Sequence, residues 1–219
     1  MARLSILLPA NNYGLYLRDV IDSALAQSAT DFEVVIVDDA STDTTWETIT
    51  SYRDDRIVAL RNDNNQGLSA SLNRALGASS GAAVVILNAD DRMHPDFLRR
   101  AWQALLDTGP QVGVAGVRLR AVDEQGRHIV GHPAEKECSA PLDFNAADSW
   151  IWRNWFPGCA LIRREVFEVV GGFAEDISTA VTWDLWVRVL AADIGLIVVP
   201  EVLCDRRVHE EEVTDEDSA

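Results

Sequence analysis

Four polar clusters carry the chemistry open to this chain, and each directly follows a short apolar run: Pro9-Ala10-Asn11-Asn12, Asp38-Asp39-Ala40-Ser41-Thr42-Asp43, Arg61-Asn62-Asp63-Asn64-Asn65-Gln66-Gly67 and Asn88-Ala89-Asp90-Asp91. Singly, each is ordinary turn chemistry, with Ser41, Thr42 or Asp43 capping the next helix. Together they are harder to dismiss. Two acidic pairs at one sheet edge would repel one another by about a few kcal/mol unless a cation neutralised them. Oxygen donors such as Asp90 and Asp91 suit Mg2+ or Mn2+, which keep coordination positions open for phosphate oxygens.

The elements that must position these clusters follow from hydrophobic periodicity. Short apolar runs at Leu4 to Leu8, stopped by Pro9, and at Phe32 to Val37, Ile57 to Leu60, Ala82 to Leu87, Val112 to Val117 and Ile194 to Val199 read as buried parallel strands, with Cys159 to Ile162 a weaker one. Helical patterns lie between them at Leu15 to Gln27, Thr44 to Tyr52, Leu68 to Ser79, Asp96 to Asp107, Arg164 to Val170 and Trp183 to Ala192. In the third, Leu68, Leu72, Ala75 and Leu76 form a stripe expected to face a sheet. Strand-helix alternation over the first half predicts an α/β sheet, and in such sheets ligands bind outside the carboxyl ends of the strands, where the four clusters stand. Beyond Val117, Arg118 to Ala121 and His128 to Val130 flank the turn Asp123-Glu124-Gln125-Gly126, a hairpin signal. Gly131 to Asn154 reads as a long binding loop, and the end is an acidic tail.

Composition excludes several classes. The 219 residues hold 35 Asp+Glu against 19 Lys+Arg, a net charge of -16, so bulk attraction to nucleic acid or anionic lipid is not expected. One basic residue alone is a lysine, Lys136, between Glu135 and Glu137. It lies in no phosphate-loop motif, and its flanking carboxylates oppose Schiff-base chemistry. Cys138, Cys159 and Cys204 form no C-x-x-C pair and suit reduced thiols. The absence of a long apolar run, and an opening at Met1-Ala2-Arg3-Leu4 that leads straight into a strand, point to a cytoplasmic protein. Gly77-Ala78-Ser79-Ser80-Gly81 matches a hydrolase nucleophile pattern, but here the helix precedes the strand, the reverse of what that turn needs. No Gly-x-Gly-x-x-Gly follows the first strand, which disfavours a dinucleotide-dependent dehydrogenase, and Pro9-Ala10-Asn11-Asn12 is not the glycine-rich, arginine-containing loop of a nucleotidyltransferase.

The chain resembles a family 2 glycosyltransferase of the GT-A fold. The resemblance is carried by Leu4 to Asn12, Phe32 to Asp43, Asn65-Gln66-Gly67-Leu68 with Asn73 and Gly81, and Asn88-Ala89-Asp90-Asp91 with Pro95. It continues through Pro157-Gly158-Cys159-Ala160, Gly171-Gly172-Phe173, Trp183-Asp184-Leu185-Trp186-Val187-Arg188 and Arg207-Val208-His209. It implies a Rossmann-like, mostly parallel sheet flanked by helices, with a smaller acceptor-side β/loop region. One domain would span 1–214, with 1–110 binding the nucleotide sugar, 111–214 the acceptor, and 215–219 an acidic tail. The implied activity is metal-assisted, inverting transfer of a sugar from a nucleotide-diphosphate donor to a hydroxyl of a glycan, lipid-linked or other acceptor, as in polysaccharide biosynthesis. Peripheral contact with a membrane is compatible with this.

By the family pattern Pro9, Asn11 and Asp39 line the base and ribose, and Asp90 and Asp91 belong to the Asp-x-Asp element that meets Mn2+ or Mg2+. Asn88, where many relatives have aspartate, can still bond a ribose. Arg207 and His209 resemble a closing Arg-x-His element in which arginine forks onto phosphate and neutral imidazole ligates metal. Relatives usually place Glu-Asp before the Asp-Leu-Trp segment as the acceptor base; here Val181 and Thr182 stand there, and a threonine hydroxyl is no base at neutral pH. Asp184 is the expected substitute, with Glu175-Asp176 the next nearest acids. The same departure motivates the alternative of a catalytically impaired binding or partner subunit. Trp150, Trp152, Trp155 and Phe156 offer either an acceptor platform or core packing.

Overall fold

The computed structural model describes residues 3–137, 156 and 158–209. Cys138, Trp150, Trp152, Trp155, Pro157 and the acidic tail lie outside the described residues, as does most of the expected binding loop.

The strands are β1 (Leu4–Ala10), β2 (Phe32–Asp38), β3 (Ile57–Arg61), β4 (Ala83–Ile86), β5 (Arg92–Met93), β6 (Val112–Val122), β7 (Ala160–Arg163) and β8 (Gly195–Arg207). The helices are α1 (Leu17–Leu25), α2 (Thr45–Ser51), α3 (Leu68–Ala78), α4 (Phe97–Thr108), α5 (Ala134–Glu137), α6 (Arg164–Val170) and α7 (Val181–Ala191). One sheet runs in the order β3-β2-β1-β4-β7-β6-β8-β5. The pairs β1–β2, β1–β4, β2–β3 and β6–β8 are parallel, while β7 runs antiparallel to β4 and β6, and β5 to β8.

Both faces of this sheet are covered, which is why its inner strands read as unbroken apolar runs. Leu4, Ile6, Leu8, Val34 and Ile36 pack on the side of α1 and α4, through Leu17, Val20, Ile21, Phe97, Ala101 and Leu105. Leu7, Val35, Val37, Val84 and Ile86 pack on the side of α3, α6 and α7, through Leu72, Ala75, Val166, Leu185 and Trp186. On α3 the buried face is Ser69, Ser71, Leu72 and Ala75, and Leu68, expected to face the sheet, is 44% exposed. The Gly77 to Gly81 segment is the end of α3 and a turn, as the order of elements required.

Three strands depart from their expected bounds in ways that matter to the site. β1 continues through Pro9, which pairs only with Val37 of β2 because the β1–β4 ladder stops at Leu7 and Ile86, so a residue lacking an N–H is tolerated there. β6 runs on to Val122, and the expected hairpin returns as a single bridge from Val122 to His128. β8 extends eight residues past Val199, because the ladder to β6 resumes at Val202 after an irregularity at Pro200 and Glu201. That extension delivers Arg207 to the carboxyl end of the sheet. Among the described residues no helix is long and apolar enough to cross a membrane.

Candidate functional site

The chain leaves β1 toward β2 and β3 and returns to β4 on the other side of β1. This switch point opens a crevice at the carboxyl ends of β1, β2 and β4. Two loops lining it hold non-glycine residues in the left-handed region, Asn12 at φ 62° and Ala40 at φ 56°. Such conformations persist only where neighbouring contacts impose them. Here Asn12 N–H donates to Ser41 Oγ at 2.9 Å, Thr42 N–H to Asn12 Oδ1 at 2.8 Å, and Ser41 N–H to Asp38 Oδ1 at 3.1 Å. Asp38, fully buried, also pairs through Oδ2 with Arg61 Nε at 3.1 Å.

Asp39 is the hub of the loops beyond β2 and β3. Its Oδ1 accepts from Asn62 Nδ2 at 2.6 Å and Gln66 N–H at 2.9 Å, and its Oδ2 accepts from Gly67 N–H at 2.8 Å. The carboxylate thereby folds the Asn65 to Gly67 loop over itself, and Gly67 at φ 88° supplies the turn into α3. One acceptor position on Oδ2 remains. Asn11 Nδ2 donates to Asp39 O at 2.6 Å, tying the ends of β1 and β2 together beside Pro9.

Asp90 and Asp91, 8% and 6% exposed, follow β4. Asp91 is held on both oxygens, by Arg207 N–H at 3.0 Å and Asn88 Nδ2 at 2.9 Å. Burial and then the charge of Asp90 push its carboxyl up to about 8, against the lowering effect of those two bonds. Asp90 instead faces His209, whose Nε2 lies 3.0 Å from its Oδ2. The His209 ring stacks on Tyr16 at 5.3 Å and meets Tyr13 edge-on at 6.5 Å, and its side chain is 5% exposed, so it is no solvated tail residue.

Arg207 spends its guanidinium on the protein. Nε donates to Asp90 O at 3.0 Å, Nη1 to Glu124 O at 2.5 Å and Asp123 O at 3.4 Å, and Nη2 to Asp19 Oδ2 at 3.2 Å, over the Tyr16 ring at 4.9 Å. Asp19, Tyr13 and Tyr16 were not singled out from the sequence. An aromatic pair just after the first polar cluster was the signal for the tyrosines, and a helix-face aspartate such as Asp19 carries none.

The groups on and near α7 are sparser. Asp184, in the first turn of α7, accepts on Oδ2 from Arg188 Nε at 2.9 Å and Nη2 at 2.6 Å, and among the described residues Oδ1 has no such bond. Val181 is buried, and Thr182 lies against Gly158. Glu175 accepts from Asn73 Nδ2 at 2.8 Å, and Asn73 also grips the backbone of Phe173. Cys159 and Cys204 are buried free thiols, and the hydrogen bond that the Cys204 S–H gives to Cys159, together with burial, holds the Cys204 thiol well above its ordinary range.

No group of three His, Cys, Asp or Glu side chains among the described residues is placed to hold a metal by itself. A hard cation that keeps waters and substrate phosphates needs fewer protein donors. The 3.0 Å between Asp90 Oδ2 and His209 Nε2 fits that case, being the distance between adjacent corners of an octahedron with bonds of about 2.1 Å.

Comparison with known proteins identifies the family and the fold. The model of glycosyl transferase family 2 matches residues 5–171. TuaG of Bacillus subtilis, named as a glycosyltransferase of teichuronic acid biosynthesis, is 30% identical over 166 residues, 74% of this chain and 62% of its own. TarS of S. aureus, solved with UDP-GlcNAc, superposes with a TM-score of 0.74 at 21% identity, over 97% of this chain and 60% of that one. The mannosyltransferase PcManGT of Pyrobaculum calidifontis, solved with GDP-Man and Mn2+, gives 0.72 at 22% identity, over 96% and 58%. The chain thus spans about three fifths of the length of TuaG and of these two solved chains, that of TarS being its residues 1–349, and 37% of the longer TarS chain.

Proposed function

Because the chain belongs to glycosyl transferase family 2 and has the GT-A fold, we propose that it moves a sugar from a nucleotide-diphosphate donor to an acceptor hydroxyl, with inversion, in the assembly of a polysaccharide. The observation that carries this reading is the buried Asp90–Asp91 pair at the switch point, with Asp39 at the carboxyl end of β2 and His209 against Asp90. In this reading residues 1–110 bind the donor and 111–214 the acceptor, a glycan or a lipid-linked one, in the cytoplasm.

Pro9, Asn11 and Asp39 take the base and ribose. The acceptor position left on Asp39 Oδ2 suits an N–H of the base or a hydroxyl of the ribose. Asn88, exposed above Asp91, reaches the ribose. Asp90 with His209 would hold Mn2+ or Mg2+, and Asp91, bonded to the Arg207 N–H and to Asn88, fixes the loop that carries Asp90. The bound cation supplies Lewis-acid stabilisation of the departing diphosphate. Arg207 serves the diphosphate indirectly, by fixing the Asp90–Asp91 loop. Asp184 takes the acceptor proton on Oδ1 while Arg188 holds Oδ2, so that the hydroxyl oxygen attacks the anomeric carbon opposite the leaving diphosphate.

Calorimetric titration with a panel of nucleotide sugars, with and without Mn2+, followed by assay of free nucleoside diphosphate, tests the reading. Mn2+-dependent binding and diphosphate release support it, and Asp90→Ala should abolish the metal dependence. Binding without release for every donor and acceptor would replace transfer with a binding or partner role, which the threonine at 182 favours. Absence of nucleotide binding would refute the donor site.

A further inference from the structure

We propose that Asp19 is a positioning residue for the cation-binding pair: it holds the Arg207 guanidinium on the α1 side and so keeps that charge off the Asp90 and Asp91 carboxylates. This rests on the reading of Asp90 as a cation ligand. Arg207 is 2% exposed, and a guanidinium does not shed its proton, so its charge needs a partner inside the fold. The groups facing it are the carbonyls of Asp90, Asp123 and Glu124, the Tyr16 ring and one carboxylate, Asp19 at 3.2 Å. Among the described residues no other carboxylate pairs with it. Arg207 also touches both members of the acidic pair through backbone atoms, its N–H on Asp91 Oδ1 and its Nε on Asp90 O. Without Asp19, the carboxyls of that pair are the acidic groups already in touch with Arg207. A guanidinium that swung onto them would occupy, as an internal cation, the charge that a divalent ion must find free.

Asp19 is suited to this task by its own surroundings. It projects from the first turn of α1 with its side chain 59% exposed, and Arg92 stands 3.8 Å away as a second cation. Arg92 is itself anchored to Asp205 at 2.9 Å, and Arg120 holds the same carboxylate at 2.6 Å. The row Arg120, Asp205, Arg92, Asp19, Arg207 alternates in sign across β6, β8, β5 and α1, so each charge is held by its neighbours. The pair joins a buried guanidinium to a partly exposed carboxylate, so its loss also lowers stability, and Mn2+ affinity read on the folded chain separates the effect on cation binding from the effect on folding.

Mn2+ alone is titrated by calorimetry into the full chain and into Asp19→Asn, Asp19→Ala and Asp19→Glu, with thermal melting of each. Removal of a residue that orients a ligand commonly weakens metal binding by about ten- to a hundredfold, and that loss is expected for the Asn and Ala variants at temperatures where each is still folded, with a lowered melting temperature beside it. The Glu variant, which keeps the charge, should recover most of the affinity. Mn2+ affinity within about twofold of the parent in Asp19→Asn overturns the proposal, as does an equal loss in Asp19→Glu. A lowered melting temperature with affinity kept would make Asp19 a structural residue only. If the parent chain itself binds no Mn2+, the cation reading of Asp90 fails and the proposal falls with it.

Discussion

Replacing Asp39 with asparagine tests whether the donor side is organised as described. The carboxylate accepts three N–H groups, from Asn62, Gln66 and Gly67, at 2.6, 2.9 and 2.8 Å, while only 4% exposed. An asparagine keeps one oxygen, and its amide must then point N–H at N–H on the other side. The least damaging arrangement leaves the oxygen toward Asn62 and Gln66 and turns the amide toward Gly67, whose N–H has a fallback in Asn65 Oδ1 at 3.1 Å. One charge-assisted bond is lost, worth about 1.5–3 kcal/mol, and the other two weaken, so the cost is about 2–3 kcal/mol. For a domain of this size that lowers the melting temperature by roughly 4–12 °C. Calorimetric melting reads the stability, and titration with UDP and GDP reads the site, where loosening the Gln66–Gly67 loop by about 2 kcal/mol weakens nucleotide affinity some thirtyfold, at about 1.4 kcal/mol per factor of ten. Adding Asn65→Ala should deepen both losses, since Gly67 then has no fallback. A melting temperature within about 2 °C of the parent, with nucleotide affinity kept, would refute the reasoning.

Glu33 provides a pH test at the opposite edge of the sheet. Burial alone would raise its carboxyl, but the Ser80 N–H, the Ser5 and Ser80 hydroxyls and Arg3 outweigh it, and the net effect is a lowering from 4.5. A lowered carboxylate contributes stability that is present above pH 4.5 and is lost as pH falls through the folded value. Denaturant midpoints measured from pH 7 down to about 3 should therefore drop more steeply for the parent than for Glu33→Gln, which starts lower and stays flatter; parallel profiles would contradict this. Gly81→Ala would place a Cβ 2.7 Å from the backbone of Leu4 and Ser5, so a loss of more than about 2 kcal/mol is expected in chemical denaturation, and a neutral result would mean the turn yields. Asp184→Asn should cut turnover by about 10²- to 10⁴-fold with donor affinity spared, and unchanged turnover would exclude it as the base.

Much of the fold was legible in the sequence because its signals are local. Apolar runs marked the strands, 3.6-residue stripes marked the helices, and the polar clusters after β1, β2, β3 and β4 fell at the sheet edge where an α/β topology puts them. Elements that depend on distant pairing were not legible. β5 exists only because Arg92 and Met93 lie against Asp205 and Cys204, and β8 passes Pro200 only because β6 offers a ladder on which to resume.

The same division runs through the site. Sequence alone determined which carboxylates stand at the carboxyl ends of β2 and β4, and that with Lys136 the single lysine, phosphate charge must be met by arginine or a metal. Only the tertiary structure decided what each group is free to do. Asp39 turned out to be largely occupied by the loop it folds, Arg207 is committed to carbonyls and Asp19, and His209 is seated between two tyrosines on Asp90. Residue type and spacing carry a side chain's chemical capacity, whereas the hydrogen bonds and charges that use up that capacity come from residues as much as 188 positions away in the chain, and folding alone brings them together.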